Sequence, residues 1–243
     1  MDKSLTRLQT FYHHLEDEQL LEQMILHEFP GKIALLSSFG ADSALLISKI
    51  AKIDNNLPIL FLETYKHFPE TIEYVEKLEK LFNLTNIKFI TPSEKLINNI
   101  DSNDNLWESQ PNRCCWLRKV EPLNRAIAEF DFHAIITGRK AYQTNERNDL
   151  TNIEQTTDGL FKINPFFNWD KEKIRSEFIT QKLPQHPLIA KGFLSIGCAP
   201  CTKPVKEGED ERAGRWAHTG DVDGVSQKTE CGIHVPQVPD WSV

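Results

Sequence analysis

The chain predicts an α/β fold, a doubly wound and mostly parallel sheet followed by an irregular C-terminal segment. Two observations predict it. Short apolar runs (IALL, PILFL, NIKFI, HAII) alternate with stretches whose apolar residues recur at helical spacing, the pattern of crossover units. After His186 the alternation stops, and Gly, Pro and charged residues take over.

Leu5, Leu8, Phe11, Leu15, Leu21, Met24 and Ile25 keep helical spacing, so one helix is expected from about Leu5 to Phe29, stopped by Pro30-Gly31. KIALLS reads as the first strand, and ALLISKIAKI as the helix after it. PILFLET is a second strand, leading to a helix with Pro69 near its first turn. NIKFI is a third strand, before a helix over SEKLINNI. The pair Cys114-Cys115 opens another helical stretch, interrupted near Pro122, and HAIITG is a fourth buried strand. NIEQTTDGLFKINPF places Asp158-Gly159 between two short alternating runs, a hairpin. WDKEKIRSEFITQK is a last helix. In such sheets ligands sit outside the carboxyl ends of the strands, where the strand order switches.

The 243 residues suffice for a full core, and 40% hydrophobic with 26% charged content is that of an ordinary globular protein. The formal net charge of −7 argues against wholesale nucleic-acid binding, so affinity for phosphate must come from local basic clusters. No apolar run approaches membrane-spanning length, and the first residues lack the apolar core of a secretory signal. A cytoplasmic protein without a membrane partner is expected. There are five cysteines, an odd number, and in a reducing compartment metal ligation or thiol chemistry is the better starting point than disulfides.

LLSSFGADSALL places Ser37, Ser38, Phe39, Gly40, Asp42 and Ser43 between a strand and a helix. Small residues and backbone N–H groups at a helix start make an anion site. The stretch is similar to the PP-loop of the enzymes that act at a nucleotide alpha-phosphate. A plain turn, with Asp42 or Ser43 capping the helix, is the competing reading. FLETYKHFPET and TGRKAYQTNER follow two further strands, the latter with Arg139, Lys140 and Arg147. Arg suits bidentate binding of phosphate or sulfate, and a solvated basic loop is the alternative.

SIGCAPCTKPV holds Cys198 and Cys201 as a C-x-x-C with Pro200 inside it and no strand before it, which favours metal over a redox pair. With Cys114 and Cys115 the set is four thiolates, acceptable to zinc or to an iron–sulfur cluster. Cys231 stands in the polar tail SQKTECGIH with Lys228 and His234 nearby, a candidate thiolate nucleophile. In GEDERAGRWAH, Arg212 and Arg215 stand three apart, so on a helical turn both meet one anion. Ion pairing with the neighbouring acids is the alternative.

CCWLRKVEPL, GCAPCTKPVKEGEDERAGRW and KTECGIH together resemble the signature segments of the assimilatory adenylyl-sulfate (APS) reductases, the iron–sulfur branch of the PAPS/APS reductase family. The resemblance runs from about Lys32 to His234. It implies an adenine-nucleotide alpha-hydrolase-like (PP-loop) fold in one reductase domain. A nucleotide-binding core over about 1–195 would precede a cluster loop and mobile catalytic tail over about 196–243. It implies reduction of adenosine 5′-phosphosulfate to sulfite and AMP, with Cys231 attacking sulfur to give an S-sulfocysteine that thioredoxin or glutaredoxin resolves. Cys114, Cys115, Cys198 and Cys201 would hold a [4Fe-4S] cluster whose role is electrostatic and structural, orienting Lys119. Lys119, Arg212, Arg215 and His234 would surround the phosphosulfate. The loop 37–43, Glu63, Thr64, Gly138 and Arg147 would hold the nucleotide, and a homo-oligomer is expected.

Three departures stand out: LETY where the family has Leu-Asp-Thr-Gly, Lys140-Ala141 where it has an arginine pair, and Ala217-His218 after RAGRW. The first alternative is reduction of PAPS, or of both substrates. Reductases dedicated to PAPS generally lack both cysteine pairs. A PP-loop tRNA-thiolating enzyme would need a basic face for RNA, and a zinc-stabilised binding protein would leave Cys231 and the two arginines unexplained.

Overall fold

The computed structural model describes residues 4–144, 147–217, 228, 230–234 and 241. Its centre is a six-stranded sheet formed by β1 (Ile33–Leu36), β2 (Ile59–Leu62), β3 (Ile87–Ile90), β4 (Ala134–Ile136), β5 (Ile153–Gln155) and β6 (Phe161–Ile163), in the order β3-β2-β1-β4-β6-β5. β1 pairs in parallel with β2 and β4, β4 pairs in parallel with β6, and β5 returns antiparallel to β6 as the expected hairpin. Gly159, at φ +93°, closes the hairpin turn in a conformation that favours glycine. β1 and β4 are the adjacent strands at which the order reverses, the switch point of the sheet.

The helices follow the apolar spacing closely, with two exceptions. α1 (Leu5–Tyr12) and α2 (Asp17–Glu22) replace the single helix expected to Phe29, and the chain continues as a π-helix over Gln23–Glu28. The break has a partner: the Asn152 amide donates to the carbonyls of Tyr12 and Leu15, and Asp17 N–H donates to Pro165 O. These contacts satisfy backbone groups that the helix break releases. α3 (Ser43–Ile53), α4 (Pro69–Phe82) and α5 (Glu94–Ile100) match their sequence signals. α6 (Leu106–Ser109) is one short turn.

The second exception concerns the cysteine pair, which was expected to open its helix and instead ends α7 (Pro111–Cys115). A π-turn over Trp116–Val120 then leads into α8 (Glu121–Glu129), and Pro122 interrupts nothing. Pro lacks an N–H, so it is tolerated in the first turn of α8. The wider π-turn feeds Glu121 N–H back to Trp116 O. α9 (Lys171–Thr180) is capped by Asp170, whose carboxylate accepts from Lys173 N–H at 2.7 Å.

From His186 onward the described residues form only 3₁₀ turns and one isolated bridge. The chain separates into two compact units, residues 1–60, 75–88 and 131–185, and residues 61–74, 89–130 and 186–243. Among the described residues no helix is long and apolar enough to cross a membrane.

Candidate active site

The anion loop lies in the first unit, at the end of β1. Ser37 Oγ accepts from Phe39 N–H at 3.1 Å, and Gly40 O accepts from Ser43 N–H at 3.2 Å, so the loop is folded on its own groups. Phe39 holds φ +47°, an uncommon setting for a bulky residue, while its ring is fully buried. Asp42 occupies the helix N-cap position of α3 but makes no side-chain cap bond. Its carboxylate instead accepts from Lys140 Nζ at 2.8 Å, across 98 residues of chain. Lys140 is buried, and it also reaches the carbonyl of Gly138. The helix-capping alternative for Asp42 is therefore replaced by a charge pair.

The basic loop after β4 divides into two kinds of residue. Arg139 is bound into a buried network with Thr137, Asn164 and Glu154 that ties β4 to the hairpin. Arg147 is buried and donates to Gln143. Residues 145–146 of the same loop lie outside the described residues.

In the second unit four separate segments bring the paired thiols to one place. α7 and its π-turn carry Cys114, Cys115, Arg118 and Lys119. Residues four apart share a helical face, which stacks Cys114 with Arg118 and Cys115 with Lys119. The 3₁₀ turn Ala199–Cys201 carries the second pair. It is tied to the loop after β2, because Ala199 N–H donates to Lys66 O at 2.6 Å and Thr64 Oγ1 lies 3.4 Å from Cys198 Sγ. A two-stranded contact then returns the chain: Lys203 N–H donates to Gly214 O, and Trp216 N–H to Cys201 O, both at 2.9 Å.

Two motif glycines make that return possible. A Cβ on Gly214 would lie 2.0 Å from the Lys203 carbonyl oxygen, and one on Gly197 would lie 2.4 Å from the Arg215 guanidinium. Here glycine serves close approach rather than unusual backbone angles.

Cys114, Cys115, Cys198, Cys201, Lys119, Arg118 and Arg215 line one cavity with about 370 Å³ of empty space, together with Trp107, Pro200 and Trp216. No disulfide joins the cysteines. Among the described residues, no three His, Cys, Asp or Glu side chains form a group that could hold a single metal ion. The thiols surround space instead.

Their electrostatics differ sharply. Burial, then the neighbouring thiols, pushes Cys114 and Cys201 up to about 12. Burial also opposes ionisation of Cys198, but Lys119, the Thr64 hydroxyl and Arg215 together hold it below its ordinary value. Burial likewise opposes the Lys119 charge, yet Cys198, Cys231 and Cys115 raise its pKa above the ordinary lysine value. The tail thiol is thus among the groups that act on Lys119. Cys231 itself is half-buried, just before the turn Gly232–His234.

The remaining expected residues are placed as follows. Arg215 is buried, with its guanidinium 4.4 Å from the Trp216 ring centroid; Arg212 stands 5.9 Å from the same ring and 3.8 Å from Glu230. The two arginines converge on one indole from an irregular turn rather than a helical one. Trp216 is buried at φ +51°. The Glu63 carboxylate accepts from Tyr65 N–H at 2.7 Å, and burial raises its pKa. Thr64 is fully buried against Cys198. The His234 side chain lies outside the described residues.

The sequence reading missed the group that braces this cavity. Arg118, 2% exposed, donates to Asp101 at 2.6 Å, Asp104 at 2.9 Å and Thr64 O at 3.0 Å. Asp101 also accepts from Leu106 N–H. Arg118 was legible as the i+4 neighbour of Cys114, whereas nothing in the polar stretch IDSNDNLW distinguishes Asp101 from its neighbours before folding.

Residues 32–204 match the family model described as the phosphoadenosine phosphosulfate reductase domain. The chain is 44% identical over 228 residues to the adenosine 5′-phosphosulfate reductase of Mesorhizobium japonicum, covering 94% of this chain and 86% of that one. It is 41% identical to the enzyme of the same name from a Chelativorans species, over 93% and 88% of the two chains. Among solved structures, phosphoadenylyl-sulfate (PAPS) reductase from Candida auris superposes with a TM-score of 0.69 at 27% identity, covering 84% of this chain and 99% of that one. A matched domain model over most of the chain, and relatives above 40% identity along nearly its whole length, place this protein in the PAPS/APS reductase family.

Proposed function

We propose that the chain reduces adenosine 5′-phosphosulfate to sulfite and AMP by way of an S-sulfocysteine on Cys231. The observation that carries this reading is the lining of one cavity by four thiols together with Lys119 and Arg215. The relatives named for the same activity support it.

In the first step the Cys231 thiolate attacks the sulfuryl sulfur. An Sγ–S bond forms, the S–O bond to the phosphate breaks, and AMP leaves with the electron pair. Thiolate and phosphosulfate are both anionic, so the encounter needs fixed cations; Lys119, Arg212 and Arg215 supply them. In the second step a thiolate of thioredoxin or glutaredoxin attacks Cys231 Sγ and sulfite departs with the bonding pair. The second thiol of that reductant then releases Cys231 and closes a disulfide, which accounts for the two electrons. Ser37, Ser38, Phe39, Gly40, Asp42, Ser43, Gly138 and Arg147 serve the nucleotide, as do the loop residues Glu63 and Thr64; His234 serves the sulfate group.

Cys114, Cys115, Cys198 and Cys201 would hold a [4Fe-4S] cluster, which when bound supplies a compact charged centre and four anchored thiolates. The residues fit such a group because their thiols border one cavity and are offset by two cations on the same helix. Cys198 and Lys119 meet through a hydrogen bond, so the ammonium is oriented by a ligand position.

The test is direct. Anaerobically purified protein is incubated with APS without reductant, and its tryptic peptides are mapped for an added SO3 group. An adduct on Cys231, absent from Cys231→Ser, is expected. An adduct from PAPS but not APS would move the substrate, and none from either in folded, brown protein would overturn the reading.

A further inference from the structure

We infer that Trp241, near the chain terminus, is a positioning residue that latches the Cys231 segment onto the helix carrying Cys114, Cys115 and Lys119. The inference rests on the two-step thiol chemistry above, which asks Cys231 to be held in one step and reached by a second protein in the next.

Three described residues bracket Cys231, and all three land on the same stretch of chain. Lys228 Nζ donates to Asn112 Oδ1, beside Arg113. Ile233 and Trp241 both pack against the buried cluster of Leu106, Cys114, Trp116, Leu117 and Val120. The Arg113 guanidinium carbon lies 5.8 Å from the centroid of the Trp241 ring, within cation–π range. Lys228 stands before the nucleophile and Ile233 and Trp241 after it, so the segment is held at both ends.

The quality of the Trp241 contact suits a latch. Arg113 Nε and Trp241 Nε1 are both buried without a hydrogen-bond partner. A buried N–H without an acceptor disfavours the closed arrangement; among the described residues the ring is held by its face and by apolar packing. Such a contact orders the segment without locking it. Arg113 thereby has a role distinct from its neighbours: Arg118 braces the cavity from within, Lys119 faces the thiols, and Arg113 faces the tail.

The experiment compares wild type, Trp241→Ala and Trp241→Phe, each checked for iron content and circular dichroism. The first readout, without substrate, is the rate at which iodoacetamide labels Cys231, followed by peptide mass. Trp241→Ala is expected to label about tenfold faster, the equivalent of roughly 1.4 kcal/mol, and Trp241→Phe, which keeps a ring face, to restore most of the protection. The second readout is a split of the two steps. Adduct formation from APS should slow by about tenfold in Trp241→Ala, while sulfite release from preformed adduct by dithiothreitol should not slow.

Unchanged labelling and adduct formation in Trp241→Ala would overturn the latch, as would equal loss in the Ala and Phe variants. Should Trp241→Ala fail to fold, Arg113→Gln removes the cation and spares the packing; faster labelling of Cys231 supports the latch and unchanged labelling overturns it. Wild type that forms no adduct from APS or PAPS would sink the reductase reading, and the labelling arm would still decide whether Trp241 holds the tail.

Discussion

Each unit buries a cation against an aspartate, and the two pairs are built for different ends. In the first unit the Lys140 side chain is 3% exposed and its partner Asp42 is 36% exposed. In the second unit Arg118 is 3% exposed and Asp101 is fully buried. Arg118 has three acceptors. Lys140 has a partner that reaches solvent. The difference separates a closed brace from a half-open pair. It also separates Arg118 from Lys119: adjacent in sequence, the first is consumed by carboxylates and the second is directed at thiols.

The comparison breaks first at Asp101. Asp101→Ala leaves the Arg118 charge buried beside Asp104 alone and should destabilise the second unit by about 3–5 kcal/mol, measured by chemical denaturation. A loss under 1 kcal/mol would show that the brace is no brace.

Acid comes next, and it acts on the second unit. Burial lowers both His67 and His186 to about 4. His186 Nδ1 accepts from Leu188 N–H, so Nε2 carries the proton it donates to Thr71 Oγ1. Both rings are neutral when folded, and the unfolded chain takes up protons below about 6.5. Stability is therefore complete above that pH and falls as pH drops towards 4. At pH 5 the loss should approach about 2 kcal/mol per ring, and His186→Gln should flatten the denaturation midpoint against pH.

Gly197→Ala sharpens the comparison without touching a charge. Its Cβ would meet the Arg215 guanidinium, which must move, so kcat/KM should fall about tenfold while the fold persists. An unchanged kcat/KM would remove Arg215 from the sulfate site. The smallest effect belongs to the half-open pair: Asp42→Asn should cost about 0.5–1 kcal/mol in thermal stability, against the much larger loss at Asp101.

Much of the fold was legible because its signals are local. β1 to β4, the hairpin with Gly159 and the helices over 43–53, 69–82 and 171–180 follow from apolar period and turn chemistry alone. The failures share a cause. The helix expected to Phe29 breaks because Asn152, from a distant hairpin, takes the carbonyls of Tyr12 and Leu15. The stretch after Cys115 continues through Pro122 because a π-turn absorbs the missing donor. Each involves a partner or a pitch that spacing does not carry.

The candidate site divides the same way. By itself the sequence determined the residue types: two thiol pairs, a lysine four residues after one of them, two arginines, and a cysteine in a polar tail. Covalent order and spacing are enough for that. Tertiary structure alone decided which cation serves which group. Cys198 and Cys201 share one turn, yet Cys201 is pushed up to about 12 while Cys198 is held below its ordinary value. Arg139 went to a buried network, Lys140 to Asp42 and Arg118 to Asp101. Electrostatic interaction falls with distance in space and with solvent exposure, and neither quantity exists until the separate segments of each unit are folded together.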